Sequence, residues 1–557
     1  MARDPFLTRD FDRVEGLPRR TIDPEAAAKL GEDLTRAIAR PSGTMVLNGI
    51  QGQALYEAAE CGGLFGGLGV GSGKTLISLL APYVIECRKP LLLIPAALRG
   101  KTEKDRKDLA RHFPVARNML VVSYEELGRV GASTLLDRYQ PDLIVADEVH
   151  KLKNRRAAVT RRVERYMHQR PETRFVALSG TVVKRSLTDF AHILRWCLKD
   201  GAPVPKTVEE TGEWAQVLDV KDWPTVAPGR LDRTGRGSYD EARKGFQQRL
   251  TSTPGVLIKD SPEVNASLVI RGLTYDVGPE TEANFRRLRD LWEAPTGWTI
   301  SEAVMHWAMA RQLALGLHYE YDPLAPEDWL AARKAWAQFV RATLARSRTY
   351  DTELQVRQAV DSRHVKDNGE LYRWEAIKHT FTPNSVPRWH DTAGLDVCAR
   401  WAEAGPGIVF TSHSFFGRAL AKRLACPYYG QEGKDDNGRA IETEDGSRVI
   451  VASAQANGTG RNLQMFSRAL VTAWQAGPDG SEQLLGRLHR QGQEADEVVF
   501  DVLMGCREHV QGFADCLAGS EANGDLIGVS YRIRIADKID IPDLDALPKT
   551  PRWARAS

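Results

Sequence analysis

The sequence predicts an α/β protein with two lobes, each built on a parallel sheet, and a mainly helical region inserted between them. Three observations predict it. Short apolar runs followed by helical segments recur in two places, which is the signature of strands buried on both faces of a parallel sheet. Between those places the rhythm changes to charged helical segments, with nine tryptophans from Trp214 to Trp389. The length, 557 residues, also exceeds a single domain at roughly 100 to 200 residues each.

In chain order, residues 1–40 mix acids with bases and are expected to be an extension, flexible or docked on the surface. The first lobe spans 41–200, with strands expected at 91–94, 119–122, 143–146 and 175–178. The insert follows at 201–385. It opens in a Gly- and Pro-rich stretch, 200–237, expected to contain loops, and has helical segments at 282–292 and 326–345. The second lobe covers 386–515, with strands at 408–411, 449–452, 469–473 and 498–502, and 516–557 form a C-terminal extension.

Composition narrows the class. Hydrophobic residues make up 42% and charged residues 27%, an ordinary globular balance. With 76 Lys and Arg against 73 acids, the net charge of +3 leaves any nucleic-acid surface to a local patch. The first thirty residues lack the apolar core of a secretory leader, and no run approaches the ~20 residues needed to cross a bilayer. A cytoplasmic protein with no membrane partner is expected. Seven scattered cysteines form no C-x-x-C pair and read as reduced thiols rather than a zinc site.

The chemistry concentrates in three segments. Gly69-Val70-Gly71-Ser72-Gly73-Lys74-Thr75 runs directly into the apolar, helix-like Leu76-Ile77-Ser78-Leu79-Leu80. Glycines let the backbone curl so that successive N–H groups and a helix N-terminus face phosphate oxygens. In such a loop Gly71, Ser72 and Gly73 cradle the anion, Lys74 reaches the β and γ phosphates, and the Thr75 hydroxyl holds Mg²⁺. Downstream, a buried strand ends in Asp147-Glu148-Val149-His150. A carboxylate there can hold Mg²⁺ through water, and its neighbour can deprotonate an attacking water. Acid pairs at strand ends also serve as helix caps, so the phosphate loop is what gives this pair its meaning. Near the C-terminus, Gln483-Leu484-Leu485-Gly486-Arg487-Leu488-His489-Arg490-Gln491-Gly492-Gln493 sets Arg487 and Arg490 three apart. On one helix this spacing puts both on one face, where they could act as arginine fingers.

The string from Gln483 to Gln493 resembles the Q-x-x-G-R-x-H-R-x-G-Q motif of the Swi/Snf-type ATPases, a duplex-DNA-translocating branch of helicase superfamily two, and matches every defined position. Other segments are similar in order. Leu47-Asn48-Gly49-Ile50-Gln51 resembles the adenine-recognising segment, with Gln51 as its glutamine. Residues 71–75 correspond to motif I and 92–96 to motif Ia, and Val122-Ser123-Tyr124-Glu125 is similar to the next strand. Asp147-Glu148-Val149-His150-Lys151-Leu152-Lys153-Asn154 resembles motif II, Leu178-Ser179-Gly180-Thr181 motif III, and 409–413 motif IV. Gly458-Thr459-Gly460-Arg461-Asn462-Leu463 resembles motif V, adding Gly460 to the expected nucleotide contacts. The chain departs from the family at Leu68, Val149, Val182 and Arg461, none of which is a group that touches phosphate or metal.

The resemblance implies two RecA-like lobes that close on ATP and Mg²⁺, with Lys74, Glu148, Arg487 and Arg490 as the hydrolytic groups and Thr75 and Asp147 at the metal. It implies that DNA, duplex and without sequence preference, crosses both lobes at motifs Ia, IV and V, and that Ser179 and Thr181 relay between the two sites. Residues 151–170 carry eight Lys and Arg against one acid, Glu164, with Val159, Val163 and Met167 as a buried stripe. The arginines outside that stripe are either a solvated face or phosphate contacts. A strand-separating helicase, or the motor of a restriction or repair assembly with a nuclease partner, would share the same ATP site. The compact, Ala- and Arg-rich sequence points to a bacterial or phage source.

Overall fold

The computed structural model describes residues 6, 8–69, 71–180, 186–220, 225–260, 264–347, 349–457, 461–475 and 477–543, apart from the Pro24 side chain. Its strands in chain order are β1 Leu64–Leu68, β2 Pro90–Ile94, β3 Leu120–Ser123, β4 Leu143–Asp147, β5 Arg174–Ser179, β6 Val256–Lys259, β7 Ser267–Leu273, β8 Leu317–Tyr321, β9 Ser385–Trp389, β10 Gly407–Thr411, β11 Tyr428–Tyr429, β12 Val449–Ser453, β13 Arg468–Val471, β14 Glu497–Leu503 and β15 Lys538–Asp540. All eight strands expected from the sequence are among them, each within two residues of its expected ends.

Six strands pair in parallel in the order β3-β2-β4-β5-β1-β6. Continuous apolar runs suit this sheet because helices cover both faces: β2 and β4 are buried at every position. Parallel pairing brings the C-terminal ends of β1, β4 and β5 to one edge, the edge where ligands gather in open α/β sheets. The second sheet is also parallel, in the order β11-β12-β10-β13-β14-β7-β15, with strands of two and three residues at its edges. Such short edges offer little backbone for unwanted pairing.

The division between the lobes differs from the expected boundaries. Strand β6 pairs with β1, and Trp214, Leu218, Phe246 and Leu250 join the first lobe's core, so this lobe continues to about residue 260 rather than ending at 200. The chain then crosses over, and β7 pairs with β14 along its whole length, from Ser267 opposite Glu497 to Leu273 opposite Leu503. The second lobe likewise runs past 515, through the helix Arg507–Ile527 and β15. Of the two expectations for residues 1–40, flexible or docked, the described part follows the second. Helix Arg9–Glu15 buries Phe11 and Val14 in the first lobe's core, and Pro24–Ile38 packs on Gly49–Cys61.

What remains of the insert lies between β7 and β10. It holds the helices Pro279–Leu291, Ala303–Ala314, Glu327–Arg346, Glu353–Asp361 and Glu370–Ile377, together with the antiparallel pair β8–β9. Leu315 and Leu317 root this strand pair in the second lobe's core, while Trp336, Val340, Val356 and Leu371 form a small core of their own. The insert's far end docks on the first lobe. Asp351, fully buried, accepts from Arg162 Nε at 2.9 Å and pairs with Arg165 at 3.2 Å, and the Tyr350 carbonyl accepts from Arg161 at 3.0 Å. Three arginines of the basic stretch are thus engaged inside the protein, and Arg162, only 2% exposed, does not lie on an outer face. Among the described residues no helix is long and apolar enough to cross a membrane.

Candidate functional site

A cavity of about 370 Å³ opens between the lobes at the C-terminal edge of the first sheet. The first lobe lines it with Gly71, Gly73, Lys74, Thr75, Asp147 and Glu148, and the second with Asn462, Arg487 and Arg490.

Strand β1 delivers the chain to this edge, and the helix Lys74–Val84 carries it away. Gly71 (φ +95°) and Gly73 (φ +80°) take left-handed conformations that side-chain-bearing residues resist. Gly73 has a second constraint, since a Cβ there would collide with the Gln51 side-chain amide. Gln51 itself stands behind the loop and is not among the residues lining the cavity. Its Oε1 accepts from Asn48 N at 3.1 Å, closing a capping box on the helix Gly49–Cys61, and its Nε2 reaches Ser72 O at 3.5 Å. Ser72 is 1% exposed, and its hydroxyl has no hydrogen-bond partner among the described residues.

Lys74 Nζ donates to the carbonyls of Leu68 (2.9 Å) and Gly69 (3.0 Å). Burial pushes its pKa down, opposed by the charges of Glu148 and Asp147. An anion in the loop would give this ammonium a stronger partner than two neutral carbonyls.

Asp147 ends β4, and Glu148 follows with φ +57° and ψ +49°, an uncommon conformation for a non-glycine residue and one that concentrates at functional sites. Tyr124 braces the turn by donating its hydroxyl to the Asp147 carbonyl at 2.7 Å. Burial and the adjoining Glu148 charge push the Asp147 carboxyl up. Burial acts against Glu148 as well, but the hydrogen bond and charge of His150, then Lys74 and Arg487, outweigh it and hold Glu148 ionised. His150 Nδ1 lies 3.2 Å from Glu148 Oε2 and 3.1 Å from Ser179 Oγ, and Ser179 Oγ lies 3.3 Å from the same carboxylate oxygen. Ser179 is reached because β5, whose last residue it is, stands between β1 and β4.

The arginines arrive by a different route from the one their spacing suggested. Helix Pro478–Leu488 stops one residue after Arg487, and His489 takes non-helical angles (φ −82°, ψ +85°). Arg490 therefore lies in the following turn rather than on the same helix face, yet both residues line the cavity. Three contacts hold that turn. The His489 ring lies 2.8 Å from the Ala266 carbonyl, Arg532 donates to the His489 carbonyl at 3.0 Å, and Arg532 forms a buried ion pair with Glu482. Arg487 is 5% exposed and donates to the Arg461 carbonyl at 2.9 Å. Burial brings its pKa down to about 10, so it stays charged at neutral pH. Arg461 pairs with Glu442 and donates to the Glu432 carbonyl. Across the cleft, Lys153 pairs at 3.0 Å with Asp479 in the first turn of Pro478–Leu488, joining the lobes directly.

Of the residues singled out in the sequence, Gly71, Gly73, Lys74, Thr75, Asp147, Glu148, Arg487 and Arg490 meet in this cavity. Gly460 and Thr181 lie outside the described residues. Tyr124 and His150 were singled out only as members of motifs and Arg532 not at all, since the role of each depends on a contact between residues distant in the chain or on a turn that no pattern marks.

Neither a scan against protein-family models nor a search of the curated proteins returns a match for this chain.

Proposed function

We propose that this protein is a DNA-stimulated ATPase of the Swi/Snf type, a motor with two RecA-like lobes that tracks duplex DNA. One observation carries the reading: a phosphate loop and a paired carboxylate from one parallel sheet share a single cavity with two arginines from the other. Glycines at positive φ, a half-buried lysine at a helix N-terminus and a buried loop hydroxyl without a partner among the described residues suit a triphosphate. Thr75 and Asp147 would hold Mg²⁺, which keeps several of its waters and needs only one or two protein ligands. When bound, the ion would neutralise phosphate charge.

Glu148, kept ionised, accepts a proton from water as its oxygen attacks the γ-phosphorus. The bond from that phosphorus to the bridging oxygen breaks, and ADP leaves with the oxygen's charge. Ser179 and His150 fix the carboxylate's position. Lys74, Arg487 and Arg490 offset negative charge on the transferring group. Because the arginines come from the second lobe, hydrolysis requires closure, and alternate closing and opening can advance the lobes along a phosphate backbone.

A second reading, strand separation, is favoured by Trp292 and Trp298, which are 41% and 48% exposed on a loop pinned by the Glu293–Thr299 bridge. Their rings could stack on unpaired bases.

The test is ATP hydrolysis without nucleic acid and with single-stranded DNA, duplex DNA or RNA. Duplex DNA is expected to stimulate most. No hydrolysis under any of these conditions would overturn the reading.

A further inference from the structure

The cavity does not end at the phosphate loop. Helix Arg99–Leu109 runs along its wall and contributes Lys101, Thr102, Asp105, Asp108 and Leu109. A charge interaction at one end and a pair of hydrogen bonds beyond the other orient this helix. Lys101 lies close enough to Asp147 for its charge to act on that carboxylate, so the helix starts at the phosphate end. Just beyond its other end, His112 Nδ1 accepts from the backbone N–H groups of Thr44 (3.0 Å) and Met45 (3.3 Å), and Met45 lines the cavity beside Leu109. The helix is therefore a ruler along the cavity: at 1.5 Å per residue, Asp105 stands ~6 Å beyond Lys101 and Leu109 ~12 Å beyond it.

The lining changes character along that ruler. Cations and the paired carboxylate line the first end, where Leu76 and Leu98 also stand, whereas Met45 and Leu109 give the far end apolar walls that a base could use. Between them sit Thr102 and Asp105, three residues apart and so on one helix face. Asp108 has Arg111 at 3.6 Å, while no hydrogen bond or ion pair occupies the Asp105 carboxylate among the described residues. Burial raises the Asp105 pKa, with Lys101 acting in the opposite direction, as suits a carboxylate facing a cleft rather than open water. In a nucleotide the part between phosphates and base is the ribose, whose vicinal hydroxyls are paired donors. A carboxylate accepts two such donors at once. Gln51 does not fill this role, because its amide is engaged behind the loop.

We propose that Asp105, assisted by the Thr102 hydroxyl, receives the ribose hydroxyls and makes the site selective for ribonucleotides over deoxyribonucleotides. This rests on the nucleotide-binding reading of the cavity and adds a specificity to it.

The experiment measures KM for ATP and 2′-deoxy-ATP under duplex stimulation, and Kd for ADP and 2′-deoxy-ADP by calorimetry, in the full chain and in Asp105→Asn and Asp105→Ala. A hydrogen bond to a charged group is expected to give the unaltered protein a ~10- to 100-fold preference for the ribonucleotide. Asp105→Ala should remove the preference, and Asp105→Asn, which keeps one acceptor, should retain part of it. Equal affinity for the two sugars in the unaltered protein, or an undiminished preference in Asp105→Ala, overturns this inference and leaves the ATP site standing. A change in ATP-against-GTP choice with the sugar preference intact would mean that Asp105 reads the base, and also overturns it. Failure to bind any nucleotide removes the functional reading and this inference with it.

Discussion

At the residue scale, the proposed hydrolysis depends on Glu148 staying ionised and oriented. Glu148→Gln keeps the shape but cannot take the proton, so nucleotide affinity should survive while turnover falls ~100-fold or more. Lys74→Ala removes the loop's cation and should weaken binding itself. Normal turnover in Glu148→Gln, measured alongside calorimetric binding, would remove the general base from this position. Arg487→Ala and Arg490→Ala test the other lobe, and each should cut hydrolysis ~10³-fold, as loss of an arginine finger does, with DNA binding in the absence of nucleotide little changed. A separate residue reports on stability. His192 is 2% exposed, bonds the Leu152 carbonyl at 3.0 Å, and has its pKa brought down to about 4 by burial. Above pH ~6.5 the ring is neutral in both the folded and the unfolded chain and contributes no pH dependence. As pH falls from there towards 4, the unfolded chain takes the proton first, so stability declines by up to ~3 kcal/mol and levels off below that range. His192→Gln should flatten the fall in the urea midpoint between pH 7 and pH 5. Equal slopes in the two proteins would contradict a buried neutral ring.

At the element scale, the insert is a bridge, rooted in the second lobe by Leu315 and Leu317 and latched to the first by Asp351. Breaking a buried ion pair leaves a charge unpaired, at a cost of ~3 to 5 kcal/mol. Asp351→Ala should lower the unfolding midpoint and expose residues 327–377 to limited proteolysis, and the double variant with Arg162→Met should recover much of the loss. Independent, additive losses would mean that the pair does not hold the insert. The elements that could be read from the sequence were those whose signal is local. Strands such as β2 and β4 announce themselves as unbroken apolar runs, and the sharp turn after β1 as glycines ahead of Lys74 and Thr75. Strand β1 was illegible because Leu64–Leu68 carries two glycines, and Gly66 is there because a Cβ would lie 2.6 Å from Leu178 Cδ2 on β5. Strand β7 gains its place only by pairing with β14, more than two hundred residues later. The end of helix Pro478–Leu488 is set by His489 and Arg532, which no periodicity reveals, and so Arg490 reached the cavity by a path that the spacing did not foresee.

At the scale of the whole molecule, the two parallel sheets meet at one cavity and are tied beside it by Lys153 and Asp479 and at a distance by the insert. Hydrolysis that needs both lobes should drive their relative motion, and a motor gripping phosphates without reading bases should bind duplex DNA with little sequence preference and strong salt dependence. The decisive measurement is displacement of a third strand from a DNA triplex, run beside unwinding of a forked duplex with the same protein and ATP, and with Glu148→Gln as the control. The proposed motor displaces the third strand only when it hydrolyses ATP, and it leaves the fork paired. Steady ATP hydrolysis without triplex displacement, or efficient fork unwinding in its place, would contradict it.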